Sequence, residues 1–211
     1  MKPAIYLRQL AVGPMQNYSY LVGPARGRHC AVVDPGWDAA AIRAAAAADG
    51  RSILALALTH GHFDHAGAVK DLLAAEEVPV FVHEADAPML AKVARAVRPM
   101  PDGGSLDAGG LELRGLHTPG HTPGSQCLLG QGQLFTGDTL FMDCCGRTDL
   151  PGSDPAAMHR SLRRLAALPP ETVVWPGHDY GPLPSGPLSA VLGINPYLAA
   201  ADLREFLRLG A

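Results

Sequence analysis

Six consecutive aliphatic residues, Ile53 to Leu58, run directly into Thr59-His60-Gly61-His62-Phe63-Asp64-His65. An unbroken apolar run of that length suits a strand buried on both faces, and such strands occur in sheets covered by helices. The segment after it has the opposite character, with three imidazoles and a carboxylate crowded together. Ligand sites in α/β folds gather at the carboxyl ends of strands. Imidazole suits zinc, iron and related metals, and a carboxylate adds a harder oxygen donor, so the stretch offers ligands for two neighbouring ions. Gly61 lets the backbone turn tightly among them.

The rest of the chain supports a layered α/β reading. Ile5 to Val12, Tyr18 to Val22 and Cys30 to Asp34 read as strands separated by Gly and Pro,. Asp38 is placed to cap an Ala-rich helix that ends at Gly50,. Ala68 to Glu77 reads as a helix with Val69, Leu72 and Leu73 on one face, Val80 to Val82 as a strand, and Glu84 to Val97 as a further helix,. Short strands are predicted at Leu111 to Leu116, Gln126 to Leu129, Leu134 to Thr136 and Thr172 to Trp175. Asp154 with Pro155 opens a helix through Leu168, Gly181 to Pro187 reads as a loop, and Pro196 to Leu209 as a C-terminal helix,. The 211 residues suit a single domain spanning 1–211,.

Three later segments each place one ligand-type residue on a glycine-containing turn after a predicted strand. They are His121 in Thr118-Pro119-Gly120-His121-Thr122-Pro123-Gly124-Ser125, Asp138 in Thr136-Gly137-Asp138-Thr139, and His178 in Pro176-Gly177-His178-Asp179-Tyr180. The candidate metal ligands are therefore His60, His62, Asp64, His65, His121, Asp138 and His178. The other histidines, His29, His83, His117 and His159, lack a comparable setting and read as structural or solvated,. Thr59, Thr118 and Thr139 are candidates for hydrogen bonds that orient the ligands.

Composition removes several classes of function. A formal charge of −3 leaves no basic footprint for nucleic acid,. No run approaches the roughly 20 apolar residues of a membrane-spanning helix, and Met1 to Ala11 lacks the apolar centre of a signal peptide, so a cytoplasmic location is expected,. Cys30, Cys127, Cys144 and Cys145 lack the C-x-x-C spacing of a structural zinc site, and they read as reduced thiols,.

The H-x-H-x-D-H run, followed in order by T-P-G-H-T-P-G-S, G-D-T-L-F and P-G-H-D-Y-G, resembles the metallo-β-lactamase superfamily and most closely its glyoxalase II-like branch. Gly146-Arg147-Thr148-Asp149 is similar to a stretch shared with persulfide dioxygenases, and Asn195-Pro196-Tyr197 to a C-terminal signature of the same group. The resemblance, which spans about Asp34 to Leu198, implies a four-layer αβ/βα sandwich with two mixed sheets flanked by helices. It also implies a partition of ligands: His60, His62 and His121 on a first metal, Asp64, His65 and His178 on a second, and Asp138 bridging them. Full glyoxalase II enzymes carry a longer helical region after the last ligand, which helps to hold glutathione. In this respect the chain departs from the pattern.

The expected chemistry is hydrolysis of a thioester or related ester-like bond. Two divalent ions, zinc first and iron or manganese as alternatives, would supply hydroxide at neutral pH, with Asp64 and Asp138 as catalytic carboxylates. The substrate expected is a small-molecule thioester such as a glutathione conjugate, with Arg147 and Tyr180 as candidate contacts. The main alternative is a persulfide dioxygenase with a single iron on His60, His121 and Asp138. A non-catalytic scaffold is disfavoured because no ligand position is lost.

Overall fold

The computed structural model describes residues 5–95 and 97–210. The chain opens with β1 (Ile5–Val12), β2 (Asn17–Pro24) and β3 (His29–Val33), continues through α1 (Ala39–Ala48) to β4 (Ser52–Ala57), and then passes the short α2 (Phe63–Ala66) and α3 (Val69–Ala75) to β5 (Val80–Val82) and β6 (Arg98–Pro99). These strands form one sheet in sequence order, antiparallel across β1 to β3 and parallel from β3 to β6. The second sheet takes β7 (Ser105–Asp107), β8 (Glu112–His117), β9 (Gln126–Gly130), β10 (Gln133–Gly137), β11 (Val173–Pro176) and β12 (Gly186–Pro187), with α4 (Pro155–Ala166) between β10 and β11. Its β10–β11 pair is parallel and the rest antiparallel, and α5 (Leu188–Ile194), α6 (Pro196–Ala199) and α7 (Leu203–Arg208) complete the chain.

Three separate apolar clusters establish the layering. One joins the first sheet to α1 and α3 through Ile42, Val69, Leu72, Leu56 and Leu58. A second lies between the sheets, where Tyr20, Val22, Val33 and Ala57 meet Leu113, Leu128 and Phe135. The third packs Met158, Leu162 and Leu165 of α4, with Val191, Leu198 and Phe206, onto the second sheet. Three cores separated by two sheets make the four-layer αβ/βα sandwich with two mixed sheets. No helix among the described residues is long and apolar enough to cross a membrane.

The aliphatic run divides between two of these cores as expected of a strand buried on both faces. Leu56 and Leu58 point to the helices, and Ala55 and Ala57 to the facing sheet. Leu54 is the exception, because a register shift between Ile53 and Ala55 leaves it out of the ladder and 36% exposed. The caps hold as read: the Asp38 carboxylate accepts from Ala41 N, and Asp154 accepts from Ala156 N and Ala157 N,.

Two helices differ from expectation. Glu84 to Val97 is not a continuous helix: its helical part is a single 3₁₀ turn at Ala87–Leu90 with Pro88 in its first positions, and Ala96 lies outside the described residues. The reason lies at Asp86, whose carboxylate accepts from Gly61 N, Gly124 N and Thr122 Oγ1, so the segment is tied to two neighbouring loops. Pro196 to Leu209 is broken between α6 and α7, where Asp202 turns the chain and caps the second helix through Glu205 N. α5, β7 and β12 carry no sequence signal strong enough to be read in advance.

Candidate metal centre

Strand ends from both sheets converge on one point. β4 leads through Leu58 and Thr59 into His60, and His62 stands at the start of α2, which carries Asp64 and His65. From the second sheet, His121 follows β8, Asp138 follows β10 and His178 follows β11. All seven candidates meet there. His62 Nδ1 lies 3.0 Å from His121 Nε2, and His65 Nε2 lies 3.2 Å from both His178 Nε2 and Asp138 Oδ1. Asp138 Oδ2 is 3.5 Å from His121 Nε2, and Asp64 Oδ2 is 3.4 Å from His178 Nε2. The donor atoms fall into compact triads, His60/His62/His121, Asp64/His65/His178 and His60/His65/Asp138, each within 4.8 Å.

Hydrogen bonds at the outer nitrogens test whether this set suits a cation. His65 Nδ1 is held by Asp34 Oδ2 at 3.0 Å, His121 Nδ1 by the Arg147 carbonyl at 2.9 Å, and His178 Nδ1 by the Met15 carbonyl at 2.8 Å. A ring nitrogen facing a carbonyl or carboxylate carries its proton there, which leaves the Nε2 lone pair directed into the cluster. His60 follows the same rule: its Nδ1 sits 3.1 Å from Thr59 Oγ1, whose own proton goes to Asp34 Oδ2. His60 Nε2 and Asp138 Oδ1 are buried and find no hydrogen-bond partner among the described residues. Two buried atoms left unpartnered in this way cost free energy unless a cation neutralises them, so the donor set fits divalent metal,. Gly177 belongs to this cradle, since a Cβ there would stand 2.6 Å from Asp138 Oδ1 and 2.8 Å from His65 Cε1.

The electrostatics divide the cluster. Burial drives the His60 imidazole well below the usual histidine range, and His65 nearby adds to the effect. Burial also lowers His62, with His121 beside it. His65 moves the other way: burial opposes its charge, but Asp138 and Asp34 outweigh burial and hold it well above the usual value. Burial resists ionisation of Asp138, yet His65 and His178 keep it well below the ordinary carboxylate range,.

Several contributing residues went unread in the sequence. Asp34 accepts from Thr59 N and Thr59 Oγ1, both at 2.7 Å, as well as holding His65. Its place in Val33-Asp34-Pro35-Gly36 at a strand end was the available signal. Asn17 donates to Asp64 Oδ2 at 2.9 Å and accepts from Trp37 Nε1 at 2.8 Å, and Asp86 links the His60–His62 loop to the His121 loop; neither had a local signature. Among the threonines, Thr59 touches a ligand candidate, whereas Thr118 and Thr139 bond to each other at 3.0 Å. The Arg147 side chain pairs with Asp149 at the surface, and its carbonyl is what reaches the centre. Tyr180 is half exposed and stacks on His178 with centroids 4.4 Å apart. His83 and His117 stack on each other at 3.9 Å, apart from the seven.

Residues 12–178 match the family described as the metallo-beta-lactamase superfamily. The chain is 31% identical over 90% of its length, and 85% of the other, to a protein of Bacillus velezensis named as a zinc-dependent hydrolase of polyketide biosynthesis, BaeB. It is 43% identical to a hydroxyacylglutathione hydrolase of Alkalilimnicola ehrlichii over 78% of this chain, and it spans only 62% of that enzyme's length. The crystal structure of ETHE1 from Myxococcus xanthus superposes with a TM-score of 0.86 at 29% identity, covering 97% of this chain and 89% of the other. The profile match runs from the end of β1 to the last of the converging histidines, and with relatives this similar the chain belongs to the metallo-beta-lactamase superfamily, in its glyoxalase II-like branch.

Proposed function

We propose that this metallo-β-lactamase-fold hydrolase cleaves thioesters in the manner of hydroxyacylglutathione hydrolases, using two divalent cations. The observation that carries the reading is Asp138, a carboxylate only 12% exposed that lies between two triads of inward-facing side chains. In this reading His60, His62 and His121 would hold one cation and Asp64, His65 and His178 the other, with Asp138 available to both. Zinc is the first choice for such a nitrogen-rich set, with iron or manganese also compatible. Cations held there would acidify water toward neutral pH and draw electron density from a carbonyl oxygen.

The chain's own groups do the rest. Asp64, fixed by Asn17, orients the attacking water, and Asp138 stays ionised in the neutral range to balance charge at the centre. The histidines keep their outer protons locked on Asp34, Arg147 O and Met15 O, so they hold position and leave proton transfer to the carboxylates,. A cysteine nucleophile is not needed: burial, reinforced by Asp143, pushes the Cys144 thiol up to about 11, and burial with Cys144 beside it pushes Cys145 up to about 12,. Tyr180 and Arg147 at the rim are proposed to contact a small-molecule substrate, a glutathione thioester among the candidates. The 211 residues would act as one domain in the cytoplasm, without nucleic acid or membrane.

Metal analysis with turnover of S-lactoylglutathione tests this. Two metal ions per chain and hydrolysis abolished by a chelator are expected; a fully loaded protein that cleaves no thioester would overturn the reading. The second reading, a persulfide dioxygenase with one iron on His60, His121 and Asp138, draws on the Gly146–Asp149 stretch, whose Arg147 carbonyl holds His121. One iron per chain and oxygen consumption with glutathione persulfide would decide for it.

A further inference from the structure

A cleft of roughly 650 Å³ opens beside the His62 side of the centre. Its walls are Trp37, Phe63, Met89 and Val93, its floor includes the bare backbone of Gly61 and Gly67, and of the described residues lining it Lys92 alone carries a formal charge. Phe63 is 67% exposed and Met89 44% exposed, so apolar side chains of the cleft are open to a ligand beside the centre,.

The cleft is built, and it is tied to the centre. Trp37 holds a left-handed backbone at φ 47, rare for a bulky side chain, and its indole is clamped by Nε1 donating to Asn17 Oδ1 and by the Phe63 ring packed edge-on at 5.7 Å,. The same Asn17 donates to Asp64, so a single amide positions both the tryptophan wall and a ligand candidate. Gly61 lets Met89 pack directly on the loop backbone, because a Cβ there would meet Met89 Cβ at 2.8 Å and Sδ at 2.9 Å.

Resting on the thioesterase reading above, we propose that this cleft takes the acyl chain of the substrate and that the preferred chain is an apolar one. A thioester whose carbonyl lies at the centre sends its acyl group one way and its thiol carrier the other. A polar or charged carrier would lose hydration against Trp37, Phe63, Met89 and Val93 without gaining partners, whereas a hydrocarbon chain gains from the same contact. The carrier then lies away from the cleft, toward the half-exposed Tyr180 that stacks on His178. Met89 is unbranched and adaptable, which suits chains of more than one shape.

The test uses the metal-loaded full chain and N-acetylcysteamine thioesters of acetic, butanoic, hexanoic and octanoic acids. kcat/KM is expected to rise about two- to fourfold per methylene through hexanoyl. In Phe63→Ala and, separately, Met89→Gln, both at exposed positions, that slope should drop to less than half. A flat or falling series in the parent protein, or a slope unchanged in both variants, overturns the inference while leaving the thioesterase reading intact. Calorimetry with the uncleavable S-methyl and S-hexyl thioethers of N-acetylcysteamine separates the two ideas. If no thioester is cleaved, the thioesterase reading fails, and a hexyl preference that is lost in the variants still supports the cleft as an apolar-chain site. Equal binding of the two thioethers overturns it.

Discussion

The two triads that flank Asp138 differ in how they are held. Asp64, His65 and His178 sit deep, with Asn17, Asp34 and the Met15 carbonyl fixing each of them from behind. In the other triad His60 and His121 are equally buried and only His62 is partly exposed: His60 leans on Thr59, His121 on the Arg147 carbonyl, and His62 lines the apolar cleft. The difference teaches a division of labour that a ligand list hides. A charge-compensated half anchors the centre, and in the other half a single ligand candidate, His62, faces what enters.

The comparison breaks first at the residue both halves share. Asp138→Asn should lower turnover on the order of 10³-fold, about 4 kcal/mol of transition-state stabilisation, and reduce metal content below two per chain by elemental analysis. Retained metal and turnover would remove Asp138 from its shared position. Single ligand losses should then be unequal. His178→Ala empties a buried position and breaks the bond to the Met15 carbonyl, although Asn17 still holds Asp64, and should cost the metal-free fold about 1–3 kcal/mol in urea unfolding, while His62→Ala, at a half-buried position, should cost less than about 1 kcal/mol,. Equal costs would deny that one half is the anchor.

Asp34→Asn probes the support rather than the ligand. With one carboxylate oxygen replaced by an amide donor facing His65, affinity at the deep half should fall roughly 10- to 100-fold in chelator competition, with a smaller change at the other half,. Proton release sharpens the contrast further. His65 has a raised pKa, so in the metal-free protein its proton contributes stability fully below the unfolded value near 6.5 and loses that contribution as pH rises through the folded value,. A cation must displace that proton, so uptake at the deep half should strengthen about tenfold per pH unit while one proton is released. His60 and His62, with lowered values, are already neutral at pH 7, and neither gives up a proton to a cation there. Calorimetry in buffers of different ionisation heat reads this directly as proton release at one site and not at the other. The smallest effect belongs to Thr139→Val, whose hydroxyl bonds Thr118 and no ligand: roughly 0.5–1.5 kcal/mol of stability by thermal melting, and turnover within about twofold,.

The seven convergent side chains were legible because each stands just after a strand, in a glycine-punctuated turn whose residue types have few other uses. The supporting carboxylates were not. An aspartate before Pro35 and one near the start of a helix-like stretch look like turn and surface residues until their partners, Thr59, His65, Gly61, Thr122 and Gly124, are brought to them from elsewhere in the chain. The same fact explains the misread helix at Glu84 to Val97. Its local pattern permits a helix, and three hydrogen bonds to buried Asp86 stop it. The C-terminal helix was broken by Asp202, whose role as a second cap becomes visible only once Leu198 and Phe206 are both drawn into the same core.

By itself the sequence determined the chemistry available to this protein: which donors exist, that they follow strands, and that sheets lie under helices. These follow from periodicity and side-chain type, which are local. Only the tertiary structure decided how the donors divide around Asp138, which nitrogen of each imidazole faces inward, and that an apolar cleft adjoins His62. Those features depend on distances between residues far apart in the chain, set by two sheets packing face to face, and no local pattern encodes such distances.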